Sequence, residues 1–210
     1  DAGAVGRTLF GANEADTAFP PTNAAWSGTL LFSLLGSDQT GRLMSTGASA
    51  EQVDKGNALG LDHARVVEFS SVIATDNGIQ LSSIKAADDV YPLRGELKSA
   101  AAPFAPEEPG GGPKPGEAWV EARLLTALDL KIGDSIDVGS KTLKLTRVLT
   151  YEPDRAGNFY SLTPRVLINL EDLAATGVVQ PGSRVSYREL WRGEPQALET
   201  YRELIKPGLA

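Results

Sequence analysis

Hydrophobic side chains recur at every third or fourth position in three stretches of this 210-residue chain, and each stretch is predicted to form a helix. The three stretches are residues 24–35, 119–130 and 194–205. The side chains of the last stretch that are predicted to face inward are Leu198, Tyr201, Leu204 and Ile205.

A fourth helix is predicted from its ends. Ser49 precedes Gln52 by three residues, which is the spacing of a capping box, and Gly60 suits the left-handed conformation that ends a helix. We therefore expect a helix from about residue 49 to 59. The cap also explains Ser49 better than a nucleophile elbow, because residues 47–51 lack the second glycine of that motif.

Several stretches rich in β-branched and alternating apolar residues predict strands. Residues 63–74 and 78–87 flank Asn77-Gly78, which is typical of a tight hairpin turn. Further strands are expected at residues 42–45, 135–138, 142–149, 165–170 and 183–191, with a short helix at 171–176. This order of helices and strands lacks regular βαβ repetition, so the fold class is predicted to be α+β.

Two segments carry no sustained period. Residues 1–23 are predicted to be an irregular lead-in. Residues 99–117 contain five prolines and four glycines and are predicted to be a linker or long surface loop that is low in structure. This linker is the clearest internal boundary in the sequence.

Composition excludes several classes of function. The net charge of −7 disfavours nucleic-acid partners, because an acidic chain repels phosphate backbones. The chain has no cysteine and one histidine, so thiolate chemistry and multi-histidine metal sites are absent from this sequence. The longest strongly apolar run, residues 29–35, is too short to span a bilayer. The chain starts with Asp1 and not Met, so we expect it to be a piece of a longer protein.

The polar candidates have simple structural explanations. His63 at a strand start is predicted to be a surface or structural histidine and not a catalytic one. Asp88-Asp89 and Asp134 suit turns, and Glu107-Glu108 is expected to be a solvated charge pair in the linker. We therefore predict no catalytic, cofactor-binding or metal-binding residue.

Aromatic residues are the more informative set. Trp26, Trp119 and Trp191 are expected in the core or between domains. Phe159-Tyr160 lies in a polar loop between predicted strands and is the candidate contact patch for a partner or ligand.

Three groups of residues together resemble a known family. They are 85–97 (KAADDVYPLRGEL); 122–125 and 130–139 (ARLL and LKIGDSIDVG); and 152–154, 163–173 and 176–185 (EPD, TPRVLINLEDL and TGVVQPGSRV). In this order they resemble the extracytoplasmic domain of YbbP-like ABC transporter permeases in the FtsX/LolE/MacB superfamily. The resemblance covers about residues 34–209.

The resemblance implies a domain inserted between two transmembrane helices, with two lobes. A porter-type α/β lobe would be built from residues 24–95 and 183–210, with the strand at 183–191 joining the early hairpin. A β-rich sabre-type lobe would comprise residues 96–182. The domain would lie on the periplasmic face of the bacterial inner membrane, and ATP would bind a separate cytoplasmic subunit.

Three functions follow as hypotheses. The first is a non-enzymatic domain that couples ATP hydrolysis to work on hydrophobic or lipid-like cargo, or on a periplasmic partner such as an esterase. The second is a carrier that binds an acyl chain or lipid in a cleft lined by Trp and Phe side chains. The third is a hydrolase that uses carboxylates, with His63 as a candidate.

Overall fold

Strands outnumber helices in the part of the chain that the structure, a computed structural model, describes: residues 28–35, 47–155, 163–180 and 183–205. The strands there are β1 (Gly28–Leu35), β2 (Asp62–Thr75), β3 (Gly78–Ala87), β4 (Leu97–Ala100), β5 (Glu107–Gly110), β6 (Glu117–Val120), β7 (Ser135–Val138), β8 (Lys141–Tyr151), β9 (Arg165–Asn169) and β10 (Val185–Gly193). The helices are α1 (Ala50–Ala58), α2 (Ala122–Leu128), α3 (Leu173–Thr176) and α4 (Pro195–Ile205), with a 3₁₀ turn (Leu170–Asp172) leading into α3.

These strands form one sheet in the order β1-β10-β2-β3-β9-β6-β8-β4-β5, and β7 pairs with β8 beside this path. The pairs β3–β9 and β6–β8 are parallel, and the other pairs are antiparallel. The α+β class is confirmed. The division into two lobes stays a prediction, because one sheet runs through the strands of both segments.

The sheet has a clear junction between those segments. The strands β1, β10, β2 and β3 come from residues 24–95 and 183–210, and the others come from 96–182. The two sets meet where β3 runs beside β9, from the pair Ser83 and Arg165 to the pair Ala87 and Asn169.

Predictions based on local chemistry hold. The hairpin β2–β3 is present, but Thr75 pairs with Gly78, so its two-residue turn is Asp76-Asn77, one residue before the predicted Asn77-Gly78. Strand β10 pairs with β2 as the family resemblance implied. Helix α1 has the complete capping box: the Gln52 backbone N–H donates to Ser49 Oγ at 3.2 Å, and the Ser49 N–H donates to Gln52 Oε1 at 2.8 Å.

The main core lies on the face of the sheet that α2 covers. Leu124, Leu125 and Leu128 of α2 are buried against apolar side chains that β2, β3, β7 and β8 direct to the same face. This arrangement follows from alternation, because every second side chain of a strand faces the same layer.

A second core holds α1 and α4 against the other end of the sheet. Trp191 of β10 is fully buried there, and its ring centroid lies 4.5 Å from that of Tyr201. Leu61, Leu198 and Ile205 complete the contact. Leu204, predicted to face inward, is 49% exposed, so that prediction was wrong.

The helix predicted at residues 24–35 is not present in the part of that segment that the structure describes. Its described part is strand β1, which pairs with β10 from Gly28 and Gly193 to Leu35 and Ser186. Pairing with a distant strand overrides the helical spacing of a short apolar run, a known ambiguity of such runs.

The prediction of an unstructured linker at residues 99–117 was also wrong. It holds the end of β4, all of β5 and the start of β6, so it is not a loop low in structure. The helix predicted over 119–130 correspondingly begins at Ala122, because Trp119 and Val120 belong to β6. The predictions for residues 1–23 and 42–45 lie outside the described residues.

Candidate functional site

A lysine is buried at the junction between the two sets of strands. Lys85 of β3 stands directly opposite Glu68 of β2 and next to Leu167 of β9. Its Nζ lies 2.8 Å from Asp154 Oδ1 and 3.3 Å from Glu68 Oε1, and it also pairs with Glu152. An ammonium group with almost no access to water requires such partners.

Two arginines complete this arrangement. Arg165 of β9 places Nε 3.2 Å from Glu152 Oε2 and Nη2 3.6 Å from Glu68 Oε1. Arg188 of β10 places Nη2 3.2 Å from Glu68 Oε2 and Nη1 3.8 Å from Asp154 Oδ2. Three cations thus face three carboxylates. We call these six residues, with Tyr91 and Ser83, the junction cluster.

The hydroxyls of the junction cluster link the charges. Lys85 Nζ donates to the Tyr91 hydroxyl at 3.0 Å, and that hydroxyl donates to Asp154 Oδ1 at 2.5 Å. The Arg165 guanidinium donates to Ser83 Oγ at 2.8 Å. Charge-assisted hydrogen bonds of this kind fix side-chain geometry more firmly than neutral ones.

The same surroundings shift two pKa values. Burial acts to raise the pKa of Asp154, but Lys85, the Tyr91 hydroxyl and Arg188 outweigh it, so the pKa of this carboxyl lies below its ordinary value. Burial and the carboxylates of Asp154, Glu152 and Glu68 raise the pKa of the Tyr91 hydroxyl, which therefore stays protonated.

The chain positions of these residues show what the junction cluster connects. Glu68, Lys85 and Arg188 belong to the strands of residues 24–95 and 183–210. Glu152, Asp154 and Arg165 belong to residues 96–182. Separating the two sets would leave two cations with one carboxylate on one side and two carboxylates with one cation on the other. An uncompensated buried charge costs far more than a lost surface ion pair. The cluster therefore ties the sets together.

His63 lies in a different group, under α1. Its Nε2 is 2.5 Å from Glu189 Oε2, and its ring centroid is 4.3 Å from that of Trp191. The buried Glu189 carboxylate also accepts from Arg65 Nε and from the backbone N–H of Ala48, each at 2.8 Å. These contacts hold the His63 ring in place within the fold, and its structural role stays a prediction.

The acidic candidates also act in turns and pairs. Asp88 accepts backbone N–H groups from Arg65 at 2.6 Å and from Tyr91 at 3.1 Å. Burial is the main cause that raises the pKa of Asp88. Asp134 accepts the N–H of Lys131 at 2.8 Å, as expected for a turn.

The pair Glu107-Glu108 is exposed as predicted, but it lies in strand β5 and not in a linker. Glu108 pairs with Arg147 at 2.5 Å, and Glu107 lies 4.0 Å from Lys98. Within the described ranges, no group of three or more His, Cys, Asp or Glu side chains is placed to bind a metal ion.

The aromatic candidates divide into buried and undescribed residues. Trp119 and Trp191 are buried in the core. Trp26, Phe159 and Tyr160 lie outside the described residues, so their role as a contact patch stays a prediction.

A cavity of about 230 Å³ opens beside the end of β8. It is lined by Glu121, Leu149, Thr150, Tyr151, Glu152 and Arg155. Arg155 pairs with Glu121, which also accepts the backbone N–H of Arg165. Pockets for drug-sized ligands start at roughly 300 Å³ and have mainly apolar walls, so this cavity suits at most a small polar molecule.

Exposed apolar groups form two further features. Val72, Ile79 and Leu81 share one face of the hairpin β2–β3 beyond its neighbouring strands, and Ile79 is 76% exposed. Phe104 lies at the turn between β4 and β5 and is fully exposed. Phe104 was not among the predicted contact residues, because residues 99–117 were expected to be a uniform linker, although the Pro-Phe-Ala-Pro pattern is typical of a turn.

Two solved structures have this fold. The extracellular domain of the noncanonic ABC-type transporter YknZ from Gram-positive bacteria has a TM-score of 0.52 at 10% identity, covering 83% of this chain and 88% of that one. The periplasmic region of MacB from Actinobacillus actinomycetemcomitans has a TM-score of 0.51 at 12% identity, covering 85% of this chain and 83% of that one. The fold is therefore that of MacB-like periplasmic domains.

This chain is also similar in sequence to an ABC transporter permease. The chain is 36% identical over 150 residues to the uncharacterised ABC transporter permease YbbP of Escherichia coli (strain K12). The match covers 71% of this chain and 18% of that protein. The chain is thus a homologue of YbbP-like ABC transporter permeases, as the resemblance indicated, and it spans less than a fifth of that relative's length.

Two further findings concern family models and the length of the helices. No family model matches the chain. Across the stretches that the structure covers, every helix is too short or too polar to traverse a bilayer.

Proposed function

We propose that this chain is the periplasmic domain of an ABC transporter permease and that it couples cytoplasmic ATP hydrolysis to work outside the inner membrane. The homology to YbbP and the fold shared with MacB and YknZ support this role. The permease supplies flanking transmembrane helices, and a separate ATPase subunit binds ATP. The domain itself needs no cofactor.

The observation that carries this proposal is the junction cluster within a continuous sheet. A domain that relays force must not deform internally, because deformation would absorb the movement. Pulling β3 from β9 would break ladder hydrogen bonds and separate Lys85 from Glu152 and Asp154, which would leave each half of the cluster with an uncompensated charge. The two sets of strands therefore move together.

The work acts on hydrophobic or lipid-like cargo or on a periplasmic partner protein such as an esterase. Nucleic acid is a poor partner for a chain with a net charge of −7. The domain acts by contact and movement and is not an enzyme. In support, the His63 ring is held by Glu189 and Trp191.

The alternative of a lipid-binding carrier has less support. The carrier hypothesis needs Trp side chains in a cleft, but Trp119 and Trp191 are packed in the core. The cavity beside β8 contains two glutamates and an arginine and is small for an acyl chain.

The experiment uses the full-length permease with its ATPase subunit in proteoliposomes that contain a fluorescent acyl lipid. We expect ATP-dependent release of the lipid to an external acceptor, and no release from a complex whose ATPase subunit cannot hydrolyse ATP. ATP hydrolysis without any release would refute lipid-like cargo and leave the partner protein as the target of the work.

A further inference from the structure

The turn between β4 and β5 has an unusual conformation. The Ala105 N–H donates to the Ala102 carbonyl at 3.1 Å, and Pro103 and Phe104 are the two central residues. Phe104 has a φ of +67°. This combination defines a type II turn, whose third position normally holds glycine because a side chain there is strained. A phenylalanine at this position therefore costs free energy.

In the described part of the chain, no contact of the Phe104 ring offsets that cost. The relative exposure of Phe104 is 106%, so its ring is as accessible as in an isolated peptide. The adjacent residues Ala101, Ala102, Pro103 and Pro106 are also exposed. We call residues 101–106 the apolar tip.

The base of the apolar tip is firmly held. Strand β4 pairs with both β5 and β8. Arg147 of β8 donates from Nε to Ser99 Oγ at 2.7 Å and pairs with Glu108 at 2.5 Å, which joins both strands below the turn. Two prolines restrict the turn itself. The backbone that carries the ring is thus held in one conformation, and such preorganisation lowers the entropic cost of binding.

We infer that Phe104 inserts into an apolar socket on another extracytoplasmic protein, with Glu107 and Glu108 facing basic groups at the rim of the socket. A convex tip with one aromatic ring fits a concave pocket, and buried aromatic anchors dominate binding at such interfaces. This inference deepens the proposed function by naming the surface that contacts the partner.

The sequence of the tip disfavours other occupants. Residues 101–110 contain no Lys or Arg and two glutamates, whereas segments that bind anionic lipid surfaces are rich in basic residues. A second copy of this chain is also a poor match, because the cavity beside β8 is lined mainly by polar and charged side chains and is not an apolar socket.

Photocrosslinking in the full-length permease tests the inference. The photoreactive residue p-benzoylphenylalanine replaces Phe104, or in a control replaces Val90, which is exposed elsewhere on the domain. We expect an adduct with one identifiable extracytoplasmic protein from position 104 and none from position 90. An adduct with lipid, an adduct with a second permease copy, or no adduct would overturn the inference.

Affinity and stability measurements complete the test. The crosslinked protein, once purified, should bind Phe104→Ala and Phe104→Gly permeases about 30-fold more weakly than wild type, and Val90→Ala about equally. Phe104→Gly relieves the backbone strain, so its thermal midpoint should not fall. Unchanged affinity, or a lowered midpoint for Phe104→Gly, would overturn the inference. Crosslinking needs no ATP, so this contact can be present even if the proposed ATP coupling is wrong.

Discussion

Gly56 of α1 lies directly against the indole ring of Trp191, so closely that a Cβ on Gly56 would overlap the ring. This contact lets α1 settle onto β10 while Tyr201 of α4 packs on the same ring. A glycine inside a helix normally destabilises it, and here close packing gives the reason for its presence.

Replacing Gly56 with alanine should therefore destabilise the domain. Alanine improves helix propensity by about 1 kcal/mol, but overpacking against a buried ring costs about 1–3 kcal/mol. We expect a net loss of up to about 2 kcal/mol in urea unfolding. Gly110→Ala is the control, because nothing lies within 4 Å of a Cβ there. A more stable Gly56→Ala variant would show that the contact is loose.

Lys85→Met should be far more damaging than its surface counterpart. It removes the cation that pairs with Glu152, Asp154 and Glu68, and a buried pair that loses one partner costs about 3–5 kcal/mol. Lys98→Met removes an exposed lysine 4.0 Å from Glu107 and should change stability by less than about 0.5 kcal/mol. Equal losses in the two variants, measured by urea unfolding, would contradict the role of the junction cluster.

Acid should weaken the domain partly through Asp154. Its pKa is lower in the folded state than the ordinary value of 3.8, so its contribution to stability is present above that value and is lost as the pH falls through the lowered pKa. Asp154→Asn cannot titrate. The variant should therefore lose less stability than wild type between about pH 5 and pH 2.5, measured by urea unfolding at each pH. Parallel losses in both proteins would count against this assignment.

Local chemistry was enough to predict part of the fold. The capping box of Ser49 and Gln52 and the tight turn of the hairpin act over a few residues, and the structure has both, although the turn is at Asp76-Asn77 and not at Asn77-Gly78. Strand β1 was missed because its partner, β10, lies at the other end of the chain. The helical spacing of a short apolar run carries no information about that partner.

The candidate site was harder to predict. Lys85 lies in a strand predicted from its neighbours, but Glu152 and Asp154 approach it only after the chain has folded. The lysine within an otherwise apolar strand end, residues 84–87, was the available signal. Phe104 was not predicted, because the high content of proline and glycine in residues 99–117 was taken to indicate a lack of structure.

Electron-spin distance measurements on the full-length permease test the central claim most directly. This chain has no cysteine, so Ala58→Cys on α1 and Ala127→Cys on α2 can carry labels at exposed positions on the two sides of the junction. With and without ATP, we expect the distance between these two labels to stay the same, while the distance from either label to one in the membrane part of the permease changes. A changed distance between Ala58 and Ala127, with the membrane distances constant, would contradict a domain that relays force as one body.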